Sequence, residues 1–303
     1  MTSPRSTART PSPVRTRASR APAKAAASDA PRSAPAPDTT RTPPAPDGPR
    51  VPAVDRAVRL IDELATAREP LGLAELARRL ALPKSSVHGL LATLVAHGLA
   101  RRSPDGEFSL GTRPLQWAGA YEAQSDILRA FHQLAGSRAA LSAETVMLAV
   151  LEGAEVRYLA CRPGTRPLAV NFRVGGRFPA ACTSSGKAML ASLPPDQAGL
   201  LLADTPLPRL TRHSVRTLTA LQRQLAQARL QGWAMDDEET AEGMQCFGAP
   251  VFGPREPAAQ AAVAVSVIKA GLSAERRQAL VAAIGGLARD LSAALGAAPP
   301  RAS

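Results

Sequence analysis

Cysteine is scarce: Cys161, Cys182 and Cys246 are the only three in 303 residues. Lacking CxxC spacing, they make neither a disulfide framework nor a structural zinc site, and they point to a reduced cytosolic protein. Long apolar runs are missing too. None approaches the roughly 20 residues of a membrane span, and none has the form of a signal-peptide core. A cytoplasmic protein with no membrane partner is therefore expected. Acidic residues are outnumbered, 25 against 37 Lys and Arg, for a formal net charge of +12 and a pI near 10.9. Lysine is rare among the basic residues, which excludes no class of function.

That positive charge is unevenly placed. Residues 1–50 hold nine basic and three acidic side chains, residues 51–111 eight and seven, and residues 112–303 twenty and fifteen. Global basicity alone does not establish nucleic-acid binding, since half of the excess lies in the first segment. That segment also holds eleven of the 28 prolines, and is otherwise mostly Ala, Ser, Thr and Arg. It has too few apolar residues to offset ordering entropy, so a disordered tail that adds weak phosphate attraction is expected. A transit peptide would need an amphipathic helix, which these prolines forbid.

From Leu71 to Gly111 the pattern is specific. Leu73, Leu76, Ala77 and Leu80 form an apolar stripe at helical spacing. Leu82-Pro83 breaks that helix, and Pro83 suits the first turn of the next. Val87, Leu90, Leu91, Leu94 and Val95 repeat at i, i+3, i+4, i+7 and i+8. Gly98 fits the left-handed position after a helix end. Leu99–Arg102 and Glu107–Leu110 then pair as strands around Ser103-Pro104-Asp105-Gly106. Helix, turn, helix, hairpin is the outline of a winged helix-turn-helix over 51–111, which makes DNA the first partner to consider. A preceding helix over Pro52–Ala67, with Val54, Val58, Ile61 and Leu64 inward, would complete a three-helix core.

The rest of the chain changes character. Residues 112–125 read as a connecting helix with Trp117 and Tyr121 at i, i+4; these rings pack either within the chain or against a second copy. Residues 126–297 read as mixed α and β. Helices are expected over Ile127–Ala140, Ser185–Ser192, Pro195–Ala203, Leu218–Leu230 and Ser273–Leu295, the last capped by Ser273. In Leu218–Leu230 the inward side would carry Leu218, Leu221, Leu225 and Ala228. Strands are expected over Glu144–Leu151, Glu155–Arg162, Leu168–Arg173, Trp233–Asp236, Cys246–Phe252 and Ala261–Ile268. Gly153 marks a hairpin and Gly175-Gly176 a turn. This order predicts an α+β protein with one antiparallel sheet, not a doubly wound parallel one. Residues 298–303 read as a second disordered tail.

Three segments, at these separations, carry a resemblance: LAELARRLALPKSSVHGLLATLVAHGL, VGGRFPAACTSSGKAMLA and GWAMDDEETAEGMQCFGAPVF. The chain resembles the IclR family of bacterial transcriptional regulators over nearly everything after residue 50. The resemblance implies a winged helix-turn-helix, a linker helix that dimerises through the face of Trp117 and Tyr121, and a C-terminal sensor domain of GAF/profilin-like topology. It also implies homodimers or homotetramers, palindromic operators, and small organic-acid or aromatic effectors.

Lys84, Ser85, Ser86 and His88 lie at the start of the second helix, the end that enters the major groove in helix-turn-helix proteins. Arg101 and Arg102 lie on the wing, where alternation points them to opposite faces. For each, the alternative is a solvated surface residue. Gly89 departs from the family, many of whose members carry Arg there.

For the effector, the resemblance implies contacts from Ser184 and Ser185, chiefly through backbone N–H groups at a helix start, and from Asp236, Cys246 and Ser266. Cys246 could equally be a small buried residue, and Asp237–Glu239 could form a solvated acidic turn. Where relatives often carry Ser-x-Ser, this chain has Ala264-Val265-Ser266. Losing a hydroxyl favours a bulkier or less polar ligand.

An enzyme fits less well. Ser184-Ser185-Gly186-Lys187 matches the Ser-x-x-Lys nucleophile motif and Lys269-Ala270-Gly271 imitates Lys-Thr-Gly, but no Ser-Asp-Asn lies between them. A P-loop would need Ser or Thr where Ala188 stands. A Cys182 or Cys246 nucleophile with His213 has no assignable third partner. A purely architectural DNA-binding protein would not need the α/β domain. No cofactor and no metal are expected.

Overall fold

A computed structural model describes residues 51–165, 172–203, 205–254 and 257–297. Its N-terminal core forms around Leu60 and Leu64 of α1 (Pro52–Thr66), Leu76 and Leu80 of α2 (Leu73–Leu80), and Val87, Leu91 and Leu94 of α3 (Lys84–Ala96). Ala81 ends α2 in the left-handed region, at φ 53°, and Pro83 stands as the N-cap of α3. Gly98, at φ 71°, turns the chain out of α3 into β1 (Ala100–Arg102). β1 pairs antiparallel with β2 (Phe108–Leu110), and Leu71 bridges to Phe108 from the other side. The wing is thus stitched to the start of α2, which its sequence did not announce.

Two expected inward positions face out. Val54 and Val58 are 60% and 51% exposed, while Leu60 and Leu64 fill the core. Val95 and Leu218 are likewise more exposed than expected, at 38% and 42%.

α4 (Arg113–Gln124) has no buried residue. α5 (Asp126–Leu134) is shorter than expected; Gly136 follows it, and a 3-10 turn replaces its end at Ala139–Leu141.

The C-terminal domain is built on a six-stranded antiparallel sheet in the order β5-β4-β3-β8-β7-β6. Its strands are β3 (Thr145–Glu152), β4 (Glu155–Arg162), β5 (Arg177–Pro179), β6 (Ala234–Asp237), β7 (Met244–Phe252) and β8 (Ala259–Ile268). β5 was not expected. The strand expected over Leu168–Arg173 falls mostly outside the described residues, and Phe172 and Arg173 carry no strand. The tails expected over 1–50 and 298–303 also lie outside them.

Strand alternation sorts the two faces. One carries the large residues Leu148, Val263, Val265 and Phe247, covered by α5 and by α9 (Ala274–Ala294). The other carries small residues, Ala149, Ala262, Ala264 and Ala234, covered by α6 (Ser184–Ser192), α7 (Pro195–Ala203) and α8 (Leu218–Gln231). Small side chains let α6 lie close to the sheet.

Candidate effector site and DNA face

Two glycines set how close α6 comes. A Cβ on Gly186 would lie 2.4 Å from the Ala180 backbone, and one on Gly248 2.6 Å from that of Ser184. A side chain at Gly248 would push the first turn of α6 off β7, and one at Gly186 would push it off the segment that leads into the helix. Thr183 caps the helix, its hydroxyl accepting the Gly186 N–H at 3.1 Å. The N–H groups of Ser184 and Ser185 belong to the first turn, where a helix offers donors without intrahelical partners and a positive dipole end. Both serines are buried, and the Ser185 hydroxyl lies beside the Tyr158 phenol.

Opposite this turn, strand register assembles a polar row. Asp236 pairs with Cys246, Cys246 with Ser266, and Ser266 with Thr145, across β6, β7, β8 and β3. All four are buried. Three of the sequence-expected effector residues are therefore neighbours; Thr145 was missed. The Cys246 Sγ lies 3.0 Å from the Ser266 Oγ. Asp236 is partly committed to the turn that follows it: its Oδ1 accepts the N–H groups of Glu239 at 2.7 Å and Thr240 at 3.2 Å. Burial raises its pKa above the usual carboxylate range, against those hydrogen bonds.

The thiols are no better placed as nucleophiles. Burial pushes Cys246 well above its ordinary value and Cys182 up to about 12, so both stay protonated at neutral pH. Lys187 is buried, and its Nζ is bound to the Glu239 carboxylate and, at 3.0 Å, to the Met235 carbonyl. Such a lysine does not present a free amine to Ser184. Of the acidic turn, Asp237 and Glu238 meet Lys269 near the surface at 2.9 and 2.6 Å, whereas Glu239 is in the core.

Sequence reasoning also missed the apolar wall. Tyr158 on β4 is buried, with Phe172 and Phe178 ring centroids 5.2 and 5.5 Å away. Phe172 packs in turn against Cys246 and Met244. Cys246 and Asp236 both act electrostatically on the Tyr158 phenol. No motif spacing links these rings, which come from separate segments. A separate groove of about 360 Å³ between α7 and α8 is lined by Leu202, Leu218, Leu221 and Leu225, and by none of the expected site residues. Among the described residues no His, Cys, Asp and Glu cluster could hold a metal ion, and no helix is long and apolar enough to cross a membrane.

On the N-terminal domain, Lys84, Ser85, His88 and Gly89 are exposed along one face of α3, with Ser86 half-buried. Arg101 donates from Nε to the Ser109 hydroxyl at 2.7 Å, and the Arg102 guanidinium lies 5.7 Å over the Phe108 ring. Trp117 and Tyr121 are 53% and 55% exposed on α4. Among the described residues neither ring joins a core cluster, and Tyr121 lies near Arg157 of β4.

A winged helix-turn-helix ahead of an antiparallel-sheet domain defines a two-part DNA-binding regulator of the α+β class. Residues 53–104 match the profile described as IclR helix-turn-helix domain, and residues 120–293 that of the bacterial transcriptional regulator IclR C-terminal domain. The chain belongs to the IclR family of transcriptional regulators. It is 31% identical over 241 residues to the HTH-type transcriptional regulator BhcR of Paracoccus denitrificans, covering 79% of this chain and 86% of that one. Its structure is similar to that of the Agobacterium tumefaciens repressor BlcR, with 39% identity, TM-score 0.54, and coverage of 82% and 99% of the two chains. It is also similar to an IclR homolog from Microbacterium hydrocarbonoxydans complexed with 4-hydroxybenzoate, with 26% identity, TM-score 0.65, and coverage of 80% and 99%.

Proposed function

We propose that this regulator binds operator DNA as a homodimer or homotetramer and is controlled by a small carboxylate or aromatic effector. The effector would sit between the first turn of α6 and the row Asp236, Cys246 and Ser266. The observation that carries this reading is the buried helix start at Ser184 and Ser185, with the Ser185 hydroxyl beside the Tyr158 phenol that Cys246 and Asp236 also approach. A helix start receives a carboxylate, and the Tyr158 and Phe172 rings suit an apolar body. Ala264, buried on the same face as Ser266, keeps that end of the site apolar. The 4-hydroxybenzoate complex of the Microbacterium homolog supports an aromatic acid over a small ketoacid.

Ser85, Ser86 and His88 would read or grip the major groove, Lys84 would meet phosphate, and Arg101 and Arg102 would serve the wing. Trp117 and Tyr121 would bury against a second α4, holding two heads at half-sites about one helical turn, or a multiple, apart. The effector acts by binding two head spacings with different affinity. Operator position decides between repression and activation.

Thermal unfolding of the full chain with 4-hydroxybenzoate or pyruvate tests the input. A bound acid at about 100 times its Kd adds about 2.7 kcal/mol, and Ser185→Ala reduces that gain. No shift with any organic acid at millimolar concentration overturns the effector reading. Gel shift with DNA from upstream of the protein's own gene tests the output. Ser86→Ala with His88→Ala weakens binding and leaves the oligomer intact; unchanged affinity counts against the assigned DNA face.

A further inference from the structure

The groove between α7 and α8 takes no part in the site described above, yet it has the size and lining of a ligand pocket. Its volume of about 360 Å³ falls within the usual range of such pockets, about 300–1,000 Å³. Spacing on α8 builds one wall. Leu218, Leu221, Leu225 and Arg229 follow at i, i+3, i+7 and i+11, so they share one face of the helix. At about 1.5 Å per residue that row runs about 16 Å. Leu202 and Gly199 line the groove from α7. Gly199 keeps it open: nothing lies within 4 Å of where its Cβ would stand. No aromatic and no acidic side chain lines the groove, and the more exposed Leu200 and Leu230 lie outside it.

One end of this aliphatic trough is charged. The Arg229 guanidinium donates from Nε to the Ala191 carbonyl and from Nη2 to the Leu193 carbonyl, at 2.9 Å each. Two neutral carbonyls fix its place without cancelling its charge. A planar guanidinium held in this way is the complement of a carboxylate, and the leucines beside it suit a saturated chain.

We propose that this groove is a second ligand site, for an unbranched alkyl carboxylate of about eight carbons. The chain lies along Leu218, Leu221 and Leu225, and the carboxylate meets Arg229. At about 30 Å³ per water-sized group the volume holds about twelve such groups, and octanoate has about ten heavy atoms. The inference stands apart from the effector reading, because none of Ser184, Ser185, Asp236, Cys246 and Ser266 lines the groove.

Calorimetric titration of the full chain with sodium octanoate tests it, with sodium hexanoate beside it. Octanoate binds roughly 15-fold more tightly, from two further methylenes at about fourfold each. Gly199→Phe fills the groove and abolishes binding; helix propensity favours Phe over Gly, so the variant folds. Ala226→Phe, which fills the groove from an exposed position on α8, does the same. Arg229→Gln weakens octanoate about tenfold, the loss of a charge-assisted hydrogen bond. Ser185→Ala leaves octanoate affinity unchanged. No octanoate binding at millimolar concentration overturns the proposal. So does binding that Ser185→Ala abolishes and Gly199→Phe does not, which assigns the acid to the start of α6 and leaves the effector reading standing. Sedimentation of Gly199→Phe adds a third check: an oligomer that dissociates makes the groove an interface between copies and overturns the ligand site.

Discussion

Cys246 and Ser266 sit directly opposite one another on β7 and β8, sulfur to hydroxyl at 3.0 Å. Asp236 stands beside Cys246 on the other flank, so a single row runs from the edge strand to the middle of the sheet. Replacing Ser266 by Ala removes one neutral hydrogen bond, worth about 1 kcal/mol. Melting of Ser266→Ala checks this: Tm falls by a few degrees and the response to an organic acid weakens. A variant of unchanged response places the effector elsewhere.

The buried Asp236 carboxyl has its pKa raised, chiefly by desolvation. A raised folded-state value means that its stabilising contribution is complete below the unfolded value, near 3.9. It is lost as pH climbs through the folded value. Asp236→Asn, which keeps an oxygen for the Glu239 and Thr240 N–H groups, imitates the protonated acid. The variant therefore gains Tm relative to the parent as pH rises above about 4, and a difference that stays flat with pH contradicts this.

Lys187 and Glu239 form a core ion pair between α6 and the turn after β6, supported by Gln224 at 3.2 Å from the Glu239 Oε1. Removing one partner strands the other charge. Lys187→Met costs about 3–5 kcal/mol, and Lys187→Met with Glu239→Leu recovers most of it. Urea unfolding of the two variants measures the difference; equal losses would show that the pair's charge is not what matters.

Much of the head was legible in the sequence because its signals are local. Pro83, Gly98 and the Ser103–Gly106 turn fix where elements stop, and all fall where expected. The inward face of α1 was read in part: Ile61 and Leu64 pack in or on the core as expected, whereas Val54 and Val58 face out and Leu60 fills the core instead. Spacing alone cannot rank Val58 against Leu60; packing on α2 and α3 does. β5 escaped notice because three residues ending at Pro179 carry no alternation to read. In the site, the serines, Asp236, Cys246 and Ser266 could be gathered only through family resemblance. The Lys187–Glu239 pair and the Tyr158 wall join distant segments by tertiary packing alone, and no periodicity records it.

Gly89→Arg fills open space on the exposed face of α3. Helix propensity favours Arg over Gly by somewhat less than 1 kcal/mol, so Tm rises slightly. The added cation tightens DNA binding several-fold at 100 mM salt, read by anisotropy. A weaker complex would mean that this face does not approach the duplex.

Trp117→Ala with Tyr121→Ala removes the two exposed rings of α4. Sedimentation equilibrium should show dissociation toward monomer at micromolar concentration, with the melting of the C-terminal domain unchanged. An intact dimer assigns α4 no part in assembly.

The pairing of β3 with β8, in which Thr145 meets Ser266, has a consequence for synthesis. The sheet's middle seam joins an early strand to one made near the end, so long-range closure dominates and folding is slow. Thr145 is made early, but it cannot join Cys246 until Ser266 on β8 leaves the ribosome. A nascent or truncated chain can already own a finished helix-turn-helix head while the sheet of its C-terminal domain is still open.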